Sequence, residues 1–474
     1  MGKIVLTEEE INVYVSGLIA RARKAQEQIS NYTQEQVDHM CAVIAYEMTR
    51  KSVEEELAEF ALKETDLGDI PSKIAKVETK VKGVFSEIKH EKTVGVVEEL
   101  PERGLLRISK PVGVVGALIP STQPELIPIT TALMIVKSRN AAVIAPHPRG
   151  KRTTLLTIEK MRALLRREGW PEDILVCCEP DYVKVPVTAQ IMAQADLVIA
   201  TGGAGMVKAA YSSGTPAYGV GAGNAIMTID DSADLSDAAH NIMLSKTADL
   251  AAGCSCDNAL VIFDSIYDNM IDALKKEGGY LCTAEEHDKV QKAIFPTWPA
   301  DHNINRDIVA KPIETIARIA DLDVPEGTRF IMVEETGSGF DYPLSGEKMC
   351  MVLTVYRVNN LAEAIERVNI THSYSGAGHS CGIYSNNQEN VLTYALQTKT
   401  VRVNNNLPNS LVNTGSWMAG YPFSPSLGCG TWGGNIASEN ITLKYYLNNT
   451  WVATEIKRSV PTDEELFADT GVMA

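Results

Sequence analysis

The sequence predicts an α/β protein built from two parallel-sheet units and a β-arm. Three observations carry this. From Gly113 onward, short apolar runs alternate with helical stretches, the rhythm of βαβ units. A second pattern of the same kind runs from about residue 231 to 424. Between the leading helices and the first unit, 92–110 alternates around Pro101-Glu102-Arg103-Gly104, which marks a hairpin.

Composition agrees. The 474 residues are 45% hydrophobic and 22% charged, too apolar for a disordered chain and long enough to bury a large core. A prior of about 150 residues per domain suggests roughly three units. Forty-four basic against 60 acidic side chains leave a net charge of −16, which argues against a nucleic-acid or anionic-membrane binder. A local basic cleft for a phosphate-bearing ligand is still compatible with that balance. No apolar run reaches the ~20 residues of a membrane span. The opening decapeptide, Met1 to Glu10, turns acidic before any signal-peptide core forms. The nine cysteines show neither a Cys-x-x-Cys pair nor Cys/His zinc spacing, so no metal site is expected. They read as mostly reduced thiols of a cytoplasmic protein.

In chain order, the first ninety residues are expected to be helical. Thr7 with Glu10 forms a capping box ahead of Ile11, Val15, Leu18 and Ala22 at helical spacing. Thr33 with Gln36 repeats it ahead of Val37, Met40, Ile44 and Met48. The hairpin at 92–110 needs a partner, because a lone hairpin is marginal in water. The strand-like tail 441–456 is the candidate partner, and such an arm suggests an oligomer. Strands are expected at 112–119, 141–145, 174–178, 197–200 and 225–229, with helices at 127–137, 153–167, 187–195 and 206–211 between them. The second unit is expected to hold strands at 260–263, 330–333, 351–358, 382–384 and 400–403. The absence of a low-complexity linker implies tightly packed units with a cleft between them.

Glycine loops flank that cleft. Thr201-Gly202-Gly203-Ala204-Gly205 follows a strand and opens a helix, so phosphate or ribose can approach its backbone; a bare strand-to-helix turn is the even alternative. The full Gly-x-Gly-x-x-Gly pattern is absent, since Lys208 occupies the third position. Gly219-Val220-Gly221-Ala222-Gly223-Asn224 precedes a strand, where backbone must pass close to a ligand or to packed neighbours. Pro146-His147-Pro148-Arg149-Gly150-Lys151 sits at a strand's carboxyl end, where open sheets bind ligands; a solvated basic turn is the commoner meaning. A third glycine cluster, Gly428 to Asn435, also reads as backbone shaped around a cleft. Cys254 lies in the small-residue stretch Ala251-Ala252-Gly253-Cys254-Ser255 before an apolar strand. Most cysteines are inert buried hydrophobes. A thiolate here suits carbonyl chemistry, because it attacks and leaves readily.

Several segments together resemble the CoA-acylating branch of the aldehyde dehydrogenase superfamily. They are 200–214, 219–224, Glu347-Lys348-Met349, Gly376-Ala377-Gly378-His379 and 427–435. The resemblance runs from about residue 15 to 458 and is nearest to CoA-dependent succinate-semialdehyde dehydrogenases, acylating sulfoacetaldehyde dehydrogenases and the aldehyde half of aldehyde–alcohol dehydrogenases. It implies an aldehyde-dehydrogenase-like fold: a Rossmann-type cofactor domain at 1–230, with 92–110 in an oligomerisation arm, and a catalytic domain at 231–425. Residues 426–458 return to the cofactor domain and arm, and 459–474 form a tail. The resemblance places the nucleophile at Cys254 and a histidine of the branch at His379. It places cofactor contacts at Ser121, His147, Pro148, Thr201, Gly202, Gly203 and Gly221, with Glu347 as the ribose acid.

The implied chemistry is oxidation of a small aldehyde by NAD or NADP, with the acyl group passing from Cys254 to coenzyme A. Hydrolytic relatives carry a glutamate base in the segment matching 219–224. No carboxylate stands there, so water lacks activation, whereas a thiol with a pKa near about 8.5 supplies thiolate unaided. One departure is Gln123, in Pro120-Ser121-Thr122-Gln123-Pro124, where the family has an oxyanion-binding asparagine. Losing such a donor costs about 3–4 kcal/mol in the barrier. Cys256 and Asp257 also depart from the family's Ser-Glu pair; Cys256 is expected to pack rather than to form a disulfide. The polar run Asn404-Asn405-Asn406 offers Asn405 and Asn406 as partners for a sulfonate or carboxylate tail, against an equal expectation of a turn-stabilising cluster. Arg402 is expected to be structural. His39, His90, His240, His287, His302 and His372 are expected at surface or packing positions. The partners expected are the aldehyde and coenzyme A, plus further copies of the chain in a dimer or tetramer, with no nucleic acid and no membrane. Two alternatives stay open: a hydrolytic aldehyde dehydrogenase, and a catalytically degenerate scaffold subunit of a metabolic assembly.

Overall fold

The structure is a computed structural model that describes residues 6–470 and 472. Positions 1–5 of the opening decapeptide, and 471, 473 and 474 of the tail, lie outside the described residues.

Four helices lead the chain: Glu8–Ile29, Gln34–Met48, Lys51–Thr65 and Ile70–Ile88. The first two start at the expected capping boxes, with Thr7 and Glu10, then Thr33 and Gln36, bonding each other's backbone. Ile11, Val15, Leu18 and Ala22 are buried, so the period of 3.6 is the core-facing stripe of a helix laid on the first sheet.

That sheet has the order Leu175–Cys177, Ala141–Pro146, Val114–Ile119, Leu197–Thr201, Ala217–Val220, all parallel. The last strand is not among the sequence expectations, because it is four residues long and interrupted by Gly219. From the middle the chain winds outward both ways: Val114–Ile119 leads to Ala141–Pro146, and Leu197–Thr201 to Ala217–Val220. The crevice beyond the carboxyl ends of Val114–Ile119 and Leu197–Thr201 is therefore a topological switch point, where open α/β sheets bind ligands.

The second sheet has seven parallel strands in the order Gly279–Leu281, Phe330–Glu334, Val352–Val358, Asp257–Phe263, Ala225–Ile229, Cys381–Tyr384, Val403–Asn405. Two expectations change here. Ala225–Ile229, counted above with the first unit, pairs with Asp257–Phe263 and Cys381–Tyr384 in the second sheet. The crossing is at 221–224, ahead of position 230. A buried parallel strand is apolar on both faces, so its sequence does not say which sheet it joins. The strand expected at 400–403 begins at Val403, because Thr400 makes only an isolated bridge to Gly378.

From the carboxyl end of Ala217–Val220 the chain passes through 221–224 directly into the amino end of Ala225–Ile229. The carboxyl edge of the first sheet thus meets the amino edge of the second. The arm is a separate antiparallel sheet of Gly95–Leu100, Leu105–Pro111 and Leu447–Ala453, so the tail supplies the expected partner strand. Val96, Trp451 and Val452 on this arm are exposed. All nine cysteines are free, and Cys256 is buried in the second sheet's core. Among the described residues no helix is long and apolar enough to cross a membrane.

Candidate active site

The two sheet edges bring together loops that are far apart in the chain. Cys254 lies between the helix Leu235–Thr247 and the strand Asp257–Phe263. His379 lies just before the strand Cys381–Tyr384. Their side chains meet, with His379 Nε2 3.2 Å from Cys254 Sγ. The glycine loop fits against this pair. A Cβ at Gly223 would stand 1.8 Å from the Cys254 carbonyl oxygen, so only glycine allows that approach. Gly376 and Gly378 have φ of +82° and +75°, and a Cβ there would strike Asn224 and the Cys429 carbonyl. Gly223, in the loop read from the sequence as a close-approach segment, is thus a wall of the niche around Cys254, and Gly376 and Gly378 join it there.

Glu347 faces the same niche. Cys254, Glu347, Asn224, Asn258 and Lys246 line one small enclosed cavity. Burial pushes the Glu347 carboxyl up to about 8, against the pull of the Gly223 N–H and of Lys246 and Lys348. A buried polar frame fixes its loop. Asn258 donates to the Gly346 carbonyl at 2.7 Å and to the Asn224 side chain, while Lys348 Nζ donates to the Leu344 carbonyl at 2.7 Å. Burial also drives the Lys348 ammonium well below its ordinary range.

Burial, with Glu347, Cys429 and Cys256 nearby, pushes the Cys254 thiol up to about 12. His379 is pushed down to about 3, by burial first and then by Arg402 and His372. In the ligand-free protein the pair is thus a thiol beside a neutral imidazole. Thiolate fraction sets alkylation rate, so the rate at Cys254 should climb about tenfold per pH unit from pH 7 to 10. Iodoacetamide trapping followed by peptide mass spectrometry checks this, and a plateau below pH 8 would contradict it.

Most of the residues expected to contact the cofactor gather at the switch point. The segment 120–126, with Ser121 and Gln123, leaves the strand Val114–Ile119; His147 and Pro148 follow Ala141–Pro146; Thr201, Gly202 and Gly203 follow Leu197–Thr201. The His147 N–H donates to the Ile119 carbonyl at 2.9 Å, tying two of these ends together. His147 Nδ1 accepts from the Arg149 N–H at 3.1 Å, and burial with Arg149 and Arg306 nearby lowers its pKa. Thr201 Oγ1 is 2.9 Å from Ser426 Oγ. Gly203 and Gly205 face open space at the start of the helix Ala204–Tyr211. Gly221 shares with Val207, Lys208, Tyr211, Ala377 and Trp432 a cavity of about 490 Å³. Open glycine backbone, a helix N-terminus and an adjoining cavity of this size fit a dinucleotide.

Not every expected residue converges. The Gln123 carbonyl accepts the first hydrogen bond of the helix Ile127–Lys137, but its side-chain amide makes no hydrogen bond among the described residues. Asn406 is turned away: φ is +54°, and both ends of its amide bond the Ser385 backbone. Asn405 has a buried Oδ1 without a partner. The asparagine that does reach the nucleophile's turn is Asn409, which donates to the Ser255 carbonyl at 2.8 Å. Its Oδ1 accepts from Asn404 and Asn413, so the polar run is chiefly a buried network. Arg402 is structural as expected, donating to the His379 and Gly428 carbonyls at 3.1 Å. His372, expected at a surface or packing position, is buried, with Nε2 3.0 Å from the Asn224 carbonyl. Asn224 was visible as the end of a glycine loop; Asn258, Asn409 and Ser380 carried no sequence signal.

Comparison with known proteins places this geometry. Residues 7–291 match the aldehyde dehydrogenase family. The chain is 39% identical over 452 residues to a sulfoacetaldehyde dehydrogenase of Acholeplasma sp, covering 95% of this chain and 93% of the other. It is 39% identical over 457 residues to an acylating sulfoacetaldehyde dehydrogenase of Cupriavidus necator, covering 96% and 92%. Among solved structures, an acetylating aldehyde dehydrogenase from Geobacillus thermoglucosidasius superposes with a TM-score of 0.91 at 31% identity, over 97% of this chain and 100% of that one.

Proposed function

This chain belongs to the aldehyde dehydrogenase family, and from that premise we propose that it converts a small aldehyde, coenzyme A and NAD(P)+ to an acyl-CoA and NAD(P)H. The observation that carries the reading is Cys254 Sγ at 3.2 Å from His379 Nε2, beside a glycine loop that holds no carboxylate.

The Cys254 sulfur adds to the aldehyde carbon and the carbonyl oxygen takes the negative charge. The nicotinamide, when bound at the switch-point residues, supplies the hydride acceptor that oxidises this carbon. The acyl group then rests on Cys254 as a thioester. The coenzyme A sulfur attacks the same carbon, and Cys254 leaves as thiolate. Glu347, whose loop is clamped by Asn258 and Lys348, is the proposed ribose contact; Ser121, His147, Pro148, Thr201, Gly202, Gly203 and Gly221 form the rest of the cradle. Gln123, with an unengaged amide, is the proposed oxyanion donor. The names of the relatives support an anionic substrate such as sulfoacetaldehyde, with succinate semialdehyde as the carboxylate counterpart. The tail contact is proposed at Asn405, since Asn404 and Asn406 are engaged within the protein. The exposed arm supports a homo-oligomer, and the reduced thiols support a cytoplasmic location.

The test is an assay with and without coenzyme A, using acetaldehyde, succinate semialdehyde and sulfoacetaldehyde. Steady NAD(P)H formation is expected only with coenzyme A, leaving at most one turnover per subunit in its absence. Equal steady rates without it would overturn acyl transfer in favour of hydrolysis.

A further inference from the structure

His379 has two ring nitrogens with different neighbours. Nε2 faces Cys254 Sγ, and Nδ1 lies 2.9 Å from Ser380 Oγ. Which nitrogen holds the hydrogen decides whether the imidazole accepts from the sulfur or donates to it.

The wiring behind Ser380 settles the choice. Asn409 donates from Nδ2 to the Ser255 carbonyl, which can only accept, and this fixes the orientation of its amide. The opposite end confirms it, since Asn409 Oδ1 accepts from the side-chain amides of Asn404 and Asn413. The same Nδ2 lies 3.5 Å from Ser380 Oγ and points a hydrogen at that oxygen. The hydroxyl's own hydrogen then has one acceptor among the described residues, His379 Nδ1. Ser380 and Asn409 are fully buried, so an unmade hydrogen bond there is costly.

We propose that Ser380, oriented by Asn409, is a positioning residue that holds His379 with its hydrogen on Nε2, so that the imidazole presents a donor rather than a base to the Cys254 sulfur. A donor there favours the sulfur's anionic form each time Cys254 is released as thiolate. The carbonyl of His379 is pinned independently by Arg402. The other ionisable groups facing this pair are Glu347, Cys256 and Cys429 around the sulfur, and Arg402 and His372 around the ring. Burial, with the Arg402 guanidinium nearby, keeps the ring neutral, and burial keeps His372 neutral as well.

The proposal rests on Cys254 being the nucleophile, and the experiment separates the two. Long-range proton–nitrogen correlation spectra of protein labelled with ¹⁵N-histidine, assigned against His379→Asn, read the tautomer directly. Hydrogen on Nε2 and a bare Nδ1 are expected in the parent, and the reverse pattern overturns the proposal. Ser380→Ala should mix the tautomers and slow iodoacetamide alkylation of Cys254 at fixed pH by about five- to tenfold, an ordinary hydrogen bond's worth. Ser380→Thr, which keeps the hydroxyl, should restore both readouts. An alanine variant with parent tautomer and parent alkylation rate also overturns it. Loss of turnover on alkylating Cys254 in the parent tests the nucleophile alone, whatever the tautomer result.

Discussion

Replacing Cys254 by serine is expected to lower acyl-CoA formation by about a thousandfold or more, the scale seen when a covalent nucleophile is removed. The substitution is nearly isosteric, so the niche formed by Gly223 and His379 keeps its shape. What changes is the atom. A hydroxyl finds no effective base here, because the loop at 219–224 has no carboxylate and burial makes the His379 imidazole a very weak base, lowered to about 3. Any ester formed would also yield to coenzyme A far more slowly than a thioester. The measurements are NAD(P)H absorbance under saturating aldehyde and coenzyme A, circular dichroism to confirm the fold, and mass spectrometry after mixing with aldehyde and NAD(P)+ alone. The parent should carry an acyl adduct on Cys254 and the variant none. A serine variant that turned over like the parent would end the covalent mechanism, whereas a parent with neither turnover nor adduct would return the degenerate-scaffold reading to contention.

Elements whose character is local were legible in the sequence. The helix Ile127–Lys137 and the strand Ala141–Pro146 stand where their mainly apolar runs place them, because both are wholly buried. The two capping boxes were legible for the same reason, each being contained within four residues. The sheet membership of Ala225–Ile229 was not, since it depends on which neighbours the chain finds after 221–224. In the site, Cys254 and Glu347 stood out through short motifs that the family resemblance tied together. His379 reaches Cys254 across 125 positions, and Asn409 reaches Ser255 across 154. No spacing rule spans such distances, so positioning residues without a motif, such as Ser380 and Asn258, emerge only from the fold.

The same non-locality produces the largest expected loss of stability. Asp249, five residues before Cys254, is fully buried and faces two cations of the leading helix Ile70–Ile88: Lys76 Nζ at 2.7 Å and Lys73 Nζ at 3.9 Å. Lys73 also reaches Glu125 at 3.4 Å and the Thr122 carbonyl at 3.5 Å, beneath the Gln123 loop. The cluster therefore ties the Gln123 loop, a leading helix and the approach to Cys254 into one unit. Asp249, Leu250 and Ala251 run consecutively in the left-handed region, with φ of 48°, 52° and 62°, a strained path that packing must enforce. Asp249→Asn isolates the charge: asparagine tolerates left-handed backbone and keeps an acceptor for the Asp69 N–H, now bonded at 2.9 Å. Without the carboxylate, Lys76, whose side chain is 21% exposed, loses its partner and the fully buried Lys73 keeps only Glu125; breaking a buried pair costs up to about 3–5 kcal/mol. The expected result is a urea midpoint and thermal inactivation temperature well below the parent's. Lys76→Met in the Asp249→Asn background removes the stranded cation and should recover a large part of the loss. Recovery of stability without recovery of turnover would show that the carboxylate also holds the approach to Cys254, whereas a single Asp249→Asn variant as stable as the parent would mean the cluster contributes nothing net.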